Sequence, residues 1–434
     1  MYKKFVVGRA KRIITPPIGT PLYGYPNYEK RKATSVHDDL YANVGAFGYE
    51  KPSALLISLD ICALRTDMTK RISKEIAKNI PIDEENIIIC ETHTHSGPCC
   101  TFTPGWGTSN TSYIEEILIP AIISASNDAY ENAEEALLGI GTTTSYAGIN
   151  RREWRLDGLA HLGQNPYGCF DPQMTVLSFV DLKKEPILNI IHYGCHGTAC
   201  GAETEISRDF AGFMVDGLEE KTGALTFFTN GAEGDVGPRL SNGMTTGTMA
   251  LAEELGEIAK ADAIRAFSSI GEYESVDFEV LCDEFTVPYK PFPSKEEIEA
   301  ELCELESGEI FGTSIILQNT LRERLKVHEN GEKIPSHQCF SQVLLRFNDA
   351  VFVPFPFEVF SEVTVRLRRY SPFAHTLSLC NANGALGYLP SQEQIVRGGY
   401  EVDQFNRRHT FCLVDNTDDI IVEKILELIK NLRK

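Results

Sequence analysis

Residues 86–98 read NIIICETHTHSGP: an apolar run, Ile87-Ile88-Ile89-Cys90, leads straight into a polar loop that holds His93 and His95 one residue apart. Short continuous apolar runs bounded by polar loops suit strands buried on both faces. The pattern recurs at Ala54–Leu59 before Asp60, at Ile187–Ile191 before HYGCHGTACG, and at Leu225–Phe228 before TNGAEGDVGPR. It recurs again at Val351–Pro354 before FPFE and at Leu377–Cys380 before NANGALGY. Between the runs lie helical patterns over 66–78, 113–132, 211–221 and 246–267. Strand and helix in alternation predict an α/β fold with a mixed, largely parallel sheet core flanked by helices. Residues 292–330 read as a peripheral helical pair broken near Ser307-Gly308, and DDIIVEKILELIKNLRK closes the chain as an amphipathic helix. No internal repeat or linker is visible, so residues 1–434 are expected to form one large domain.

Composition narrows the function. Hydrophobic residues at 42% and charged ones at 24% are ordinary for a soluble globular chain. With 41 basic against 61 acidic residues the formal charge is −20, which disfavours nucleic acid and anionic membranes as general partners. The opening MYKKFVVGRAKRIITPPIGTPL lacks the apolar stretch of roughly 7–15 residues that a secretory signal needs. No window approaches the roughly eighteen apolar residues of a transmembrane helix. Twelve scattered cysteines then read as reduced thiols, and the expected location is the cytoplasm.

In open α/β sheets, ligands bind beyond the carboxyl ends of strands. The loops at those ends carry His93, His95, His196, Asp235, Glu358 and Tyr388. If the strand continues through them, His93 and His95 point the same way. Two imidazoles, a third from another loop and a carboxylate make a zinc-type ligand set. Plainer readings exist: histidines bonded to nearby backbone, His192 as a satisfied core histidine, Asp235 as an Asx-turn residue, Tyr388 as a half-buried tyrosine. Glu358 in PFPFEVF is harder to dismiss. A carboxylate in such apolar company needs a partner, either a cation or the arginines of RLRR.

Taken together and in order, these motifs resemble the catalytic domain of the neutral/alkaline, non-lysosomal ceramidases. THTHSGP carries the resemblance most specifically, joined by NGAEGDVGPR, PFPFEVFSEVTVRLRR, NANGALGYLPSQEQIVRGGYE, INRREW and the opening VGRAKRIITPPIGTPLYGY. The resemblance implies a zinc ion held by His93, His196, Glu358 and Tyr388, with His196 preferred to His192 because YGCHGTA is similar to the family's strand-end histidine segment. It implies that His95, Arg151 and Tyr400 surround a scissile amide, so the expected activity is hydrolysis of a linear N-acyl amide. A zinc-bound water is a competent nucleophile for that reaction near neutral pH. Either His95 or Asp235 could move the proton, and the sequence leaves both open. Arg151 and Tyr400 could donate to the developing oxyanion, each worth about 3–4 kcal/mol.

A further Mg2+ or Ca2+ is also left open, and the oligomeric state is not legible. Gly237 stands where the family has the serine of GDVSP, so serine-based recognition of a sphingoid leaving group does not carry over. That departure motivates an alternative, a catalytically altered homologue binding a small ligand in the same cleft. The immunoglobulin-like C-terminal domain of the long ceramidases is not expected here, since no such segment lies within residues 1–434. A (β/α)8 amidohydrolase would share the paired histidines but leave Glu358 and Tyr388 without a role.

Overall fold

Each of the six apolar runs is a strand, and together they are the last two strands of three copies of one βββαβα motif. The computed structural model describes residues 3–26, 31–101, 108–310 and 312–432. The first copy is β1 (Phe5–Ile13), β2 (Tyr41–Tyr49), β3 (Ala54–Leu59), α1 (Thr66–Ala77), β4 (Ile87–Glu91) and α2 (Ile119–Glu131). The second is β5 (Leu137–Thr144), β6 (Gln173–Val180), β7 (Pro186–Tyr193), α3 (Phe210–Thr222), β8 (Leu225–Asn230) and α4 (Met249–Ser268). The third is β9 (Phe278–Pro288), β10 (His337–Phe347), β11 (Ala350–Pro354), α5 (Ser361–Tyr370), β12 (His375–Leu379) and α6 (Thr417–Asn431).

Each copy folds the same way. Its first three strands form an antiparallel meander, and its helix carries the chain over to a fourth strand parallel to the third. Parallel pairing requires such a crossover. The mixed α/β class matches the sequence reading. The expectation of largely parallel pairing holds only within β3–β4, β7–β8 and β11–β12, and the other pairs of the three main sheets are antiparallel.

Burial explains the difference. The three sheets turn one face each toward a shared core, where Phe47, Leu56 and Ile88 meet Phe179, Ile190 and Phe227, and these meet Phe347, Phe352 and Leu379. The opposite faces are covered by helices of the same copy: Leu55, Ile57 and Ile89 pack with residues of α1 and α2, and Val351 and Val353 with α5 and α6. Strands sandwiched on both sides lose the apolar–polar alternation, whatever their pairing. Each fully buried Leu or Ile stabilises this arrangement by about 1.5–3 kcal/mol.

The helical pair lies where the sequence placed it, as Lys295–Glu306 and Thr313–Glu329 between β9 and β10. Ser294 and Glu297 close the first of these helices with a reciprocal capping box. Among the described residues no helix is long and apolar enough to cross a membrane.

Candidate metal centre

The threefold plan places six loops at one end of the molecule, two from each copy, after the two parallel strands. They carry Cys62, His93 and His95 from the first copy, His196 and Glu233 from the second, and Glu358 and Asn381 from the third. The loops are pressed together by backbone contacts. Thr94 bridges Gly197, and a Cβ added at Gly197 would lie 2.6 Å from the His93 carbonyl oxygen. Gly234 N donates to Val359 O at 2.9 Å, and Cys380 N to Asn230 O at 2.9 Å. The His196 loop is held to its helix by Asp209, a buried N-cap with φ +57°, whose carboxylate also accepts from Ala199 N and Cys200 N.

Two backbone bonds aim the imidazoles. His93 Nδ1 donates to Cys62 O at 2.8 Å, and His196 Nδ1 donates to Glu233 O at 3.0 Å. Both rings therefore turn a bare Nε2 toward the centre, where the two nitrogens stand 3.1 Å apart. His95 Nε2 lies 3.2 Å from His93 Nε2. Glu358 Oε2 completes the group, 3.4 Å from His196 Nε2 and 3.7 Å from His93 Nε2, and accepts no hydrogen bond. His93 itself has φ +62°, a left-handed conformation that costs a non-glycine residue roughly 1–3 kcal/mol.

Electrostatics keeps these imidazoles neutral. Burial, opposed by Glu358, lowers the His93 pKa. Burial, with Arg151, His93 and His95 nearby, holds His196 well below its ordinary value. Burial and the neighbouring His93, Arg31 and Arg151 do the same for His95. Neutral imidazole is the ligating and proton-accepting form.

Of the remaining residues read from the sequence, Tyr388, Tyr400 and Arg151 lie beside this group and the Asp235 carboxylate does not. Tyr388 pairs with Glu358 across a short parallel bridge, and its hydroxyl accepts from Arg151 Nη2 at 3.1 Å. The Tyr400 ring packs edge-on against Tyr388 with centroids 5.8 Å apart. Arg151 is pinned by Glu401, whose other oxygen takes Arg152. Asp235 sits elsewhere in the loop: its carboxylate accepts from Ser361 N and Oγ, both at 2.8 Å, and from Asn150 Nδ2. Burial raises that carboxyl to about 7.

Sequence reasoning passed over several neighbours. Glu233 is wholly buried, takes Asn230 and Asn381 as donors, and lies 4.0 Å from His93 Nδ1. Its signal was a second acid two residues before Asp235 in the same Gly-rich loop. Cys62 gave none, because the backbone carbonyl with which it orients His93 leaves no mark in the sequence. Gly24 packs so tightly on His95 that a Cβ there would fall 2.4 Å from the ring. Arg408 stands in the field of Glu358, Tyr388 and Tyr400.

The donor set fits a divalent cation. Zn–N and Zn–O distances near 2.0–2.1 Å put tetrahedral ligand edges at about 3.3 Å, close to the spacings found. Two Nε2 lone pairs that face each other, beside an unpaired carboxylate oxygen, repel unless positive charge lies among them. His93, His196 and Glu358, or alternatively Cys62, His93 and His95, bring ligand atoms within 4.8 Å of one another.

A comparison with curated protein sequences finds no match. Among solved structures, the neutral ceramidase from Pseudomonas aeruginosa superposes with a TM-score of 0.74 at 18% identity, over 100% of this chain and 75% of that one. A structure described as ceramidase complexed with C2 gives 0.70 at 18%, over 100% and 76%. At that identity they show a shared fold. Residues 5–255, more than half of the chain, match the family described as neutral/alkaline non-lysosomal ceramidase, N-terminal. The chain belongs to the neutral/alkaline non-lysosomal ceramidase family.

Proposed function

We propose that the protein is a zinc-dependent hydrolase of a linear N-acyl amide. The observation that carries this reading is the pair of bare Nε2 atoms 3.1 Å apart beside the unbonded Glu358 oxygen. His93, His196 and Glu358 would hold the ion, with Tyr388 beside them. Zinc, when bound, supplies a Lewis acid that brings a water toward neutral pKa and polarises a carbonyl.

The chain's own residues do the rest. His95, neutral and next to the ligand cluster, takes the proton at Nε2 and returns it to the leaving amine. Asp235 is a positioning residue in this scheme, since both its oxygens are spent on Ser361 and Asn150. The Arg151 guanidinium is held flat between Glu401 and Tyr388, and it directs a fixed positive charge at the developing oxyanion. Tyr400 lies against Tyr388 and can donate to the same oxygen. An aromatic cavity of about 180 Å3 is lined by Phe340, Phe357, Leu386, Phe405 and Phe411, and Phe357 is the chain neighbour of Glu358; in this reading it offers room for acyl carbons.

The test joins elemental analysis to turnover. About one zinc per chain is expected, lost in His93→Ala and in Glu358→Ala. Hydrolysis across a panel of N-acyl amides should stop with a chelator and return with zinc. Full zinc in both variants would show the ligands misassigned, and a zinc-loaded protein inert to the whole panel would end the hydrolase reading.

A further inference from the structure

Arg152–Trp154 and Ala160–Leu162 form a two-stranded ribbon that leaves the site immediately after Arg151. Its surface is apolar where water favours polar groups. Leu156 at the tip is fully exposed, and Trp154, Leu159 and Leu162 are each about half exposed. A second turn, just ahead of Tyr400, is fastened to it: Ala160 N donates to Arg397 O at 3.2 Å, and the Arg397 guanidinium lies 4.7 Å over the Trp154 ring. Val396 on that turn is 86% exposed. Scattered exposed leucines need no explanation, but five exposed apolar side chains on two turns fastened together, next in the chain to Arg151 and Tyr400, do.

Charge selects the occupant. Arg155 pairs with Glu153 and His161 with Asp157, so the ribbon is close to neutral. The chain as a whole carries a formal −20, which an anionic bilayer would repel. An apolar tip flanked by an indole and a stacked guanidinium is the chemistry that settles between head groups and acyl chains. We propose that this ribbon and the Val396 turn dock the protein on a zwitterionic lipid surface, setting the mouth of the site against the phase that stores a long-chain substrate. What is delivered there rests on the amide-hydrolase reading; the docking does not.

Co-sedimentation of the full chain with phosphatidylcholine vesicles tests it. Wild-type protein is expected to sediment, less so when phosphatidylglycerol is added. Leu156→Glu and Val396→Glu should each weaken binding by about tenfold, the worth of one Leu-sized apolar contact. Equal sedimentation of wild type and both variants, or none at all, overturns the proposal. A dimer that Leu156→Glu dissociates, with no vesicle binding, also overturns it and gives the face to a second copy. For activity, Leu156→Glu should slow hydrolysis of a long-chain N-acyl amide in vesicles and leave a water-soluble short-chain one unchanged. If the wild type hydrolyses neither while vesicle binding follows the patch, the hydrolase reading fails and the docking stands.

Discussion

The carbonyl oxygen of Cys62 accepts from His93 Nδ1 at 2.8 Å, and that one bond decides which nitrogen of His93 faces the cleft. The Glu233 carbonyl does the same for His196. Ligating histidines are commonly oriented in this way by their other ring nitrogen. In the metal-free protein both residues are therefore expected as Nδ1–H tautomers, read from imidazole nitrogen shifts in an NMR spectrum. Adding zinc should move the Nε2 resonances of both and leave Nδ1 protonated. Nε2–H tautomers that persist with zinc would contradict the geometry.

Glu358 is held for its charge at a cost. Its Oε2 is buried without a donor, and the charges of Arg151 and Arg408 reach it only through space, so its desolvation is under-repaid. Glu358→Gln keeps the shape and removes the charge. Without zinc the variant is expected to melt several degrees above the wild type, and with saturating zinc the order should reverse. Thermal melts of both proteins with and without chelator give the answer, and a variant less stable than wild type in both conditions would refute the argument.

Much of this site was written locally, which is why it could be read. His93 and His95 follow an apolar strand directly, and Glu358 stands out because PFPFEVF gives a carboxylate no polar company. The six strands recognised are almost wholly buried, and they happen to be the parallel pairs; β6 is buried to the same degree but its QMTVLSFV is interrupted by Gln173, Thr175 and Ser178. Of the other six, β10 was legible as the sheet resuming near Cys339, and the rest hid for physical reasons. β2 is diluted by Gly45 and Gly48, and β9 carries Cys282, Asp283 and Glu284 in one exposed stretch. The threefold repeat lies in topology, and insertions such as the helical pair between β9 and β10 break any constant spacing. Asp235 and Glu233 show the limit most clearly: two residues apart, similar in chemistry, and separable only by what their oxygens touch.

Gly237 explains itself through Thr245. A Cβ at Gly237 would lie 2.7 Å from Thr245 Cβ and 3.0 Å from its Cγ2, so the threonine occupies the space a side chain would need. Gly237→Ser alone is expected to destabilise by about 1–3 kcal/mol through overpacking. Gly237→Ser with Thr245→Gly should recover part of that loss, because the second glycine removes the Cβ that lies 2.7 Å away as well as the Cγ2. Chemical denaturation of the two single variants and the pair measures the coupling; simple additivity would mean that Thr245 yields without cost.

Asp60 gives the protein a pH dependence of definite sign. Burial raises its carboxyl from 3.8 to about 7, against the pull of Arg208. Between those values the folded chain binds more protons than the unfolded one, so stability falls as pH rises through the window and levels off above it. The slope is about 1.4 kcal/mol per pH unit. Asp60→Asn can still accept from Tyr41 N, which lies 2.9 Å from the carboxylate now. Relative to wild type the variant should gain stability steadily from pH 4 to pH 7 and hold the gain at pH 8. Parallel pH profiles of the two proteins would disprove it.

Glu401 is the counterweight to two buried arginines. It accepts from Arg151 Nε at 3.0 Å and from Arg152 Nη1 at 2.6 Å, and all three side chains are almost wholly buried. Removing its charge leaves two guanidinium groups facing each other with one anion lost, so Glu401→Gln is expected to destabilise by about 3–5 kcal/mol. Arg152 has further acceptors, Gly398 O and Gln394 Oε1, whereas Arg151 has Tyr388. Arg152→Met added to Glu401→Gln should therefore restore part of the stability by removing the excess cation. It should not restore turnover, because Arg151 would still lack the carboxylate that fixes its direction. In the proposed reaction that direction matters in the transition state, so kcat should stay low while KM changes little. Full rescue of kcat by the double variant would mean that the triad serves folding alone.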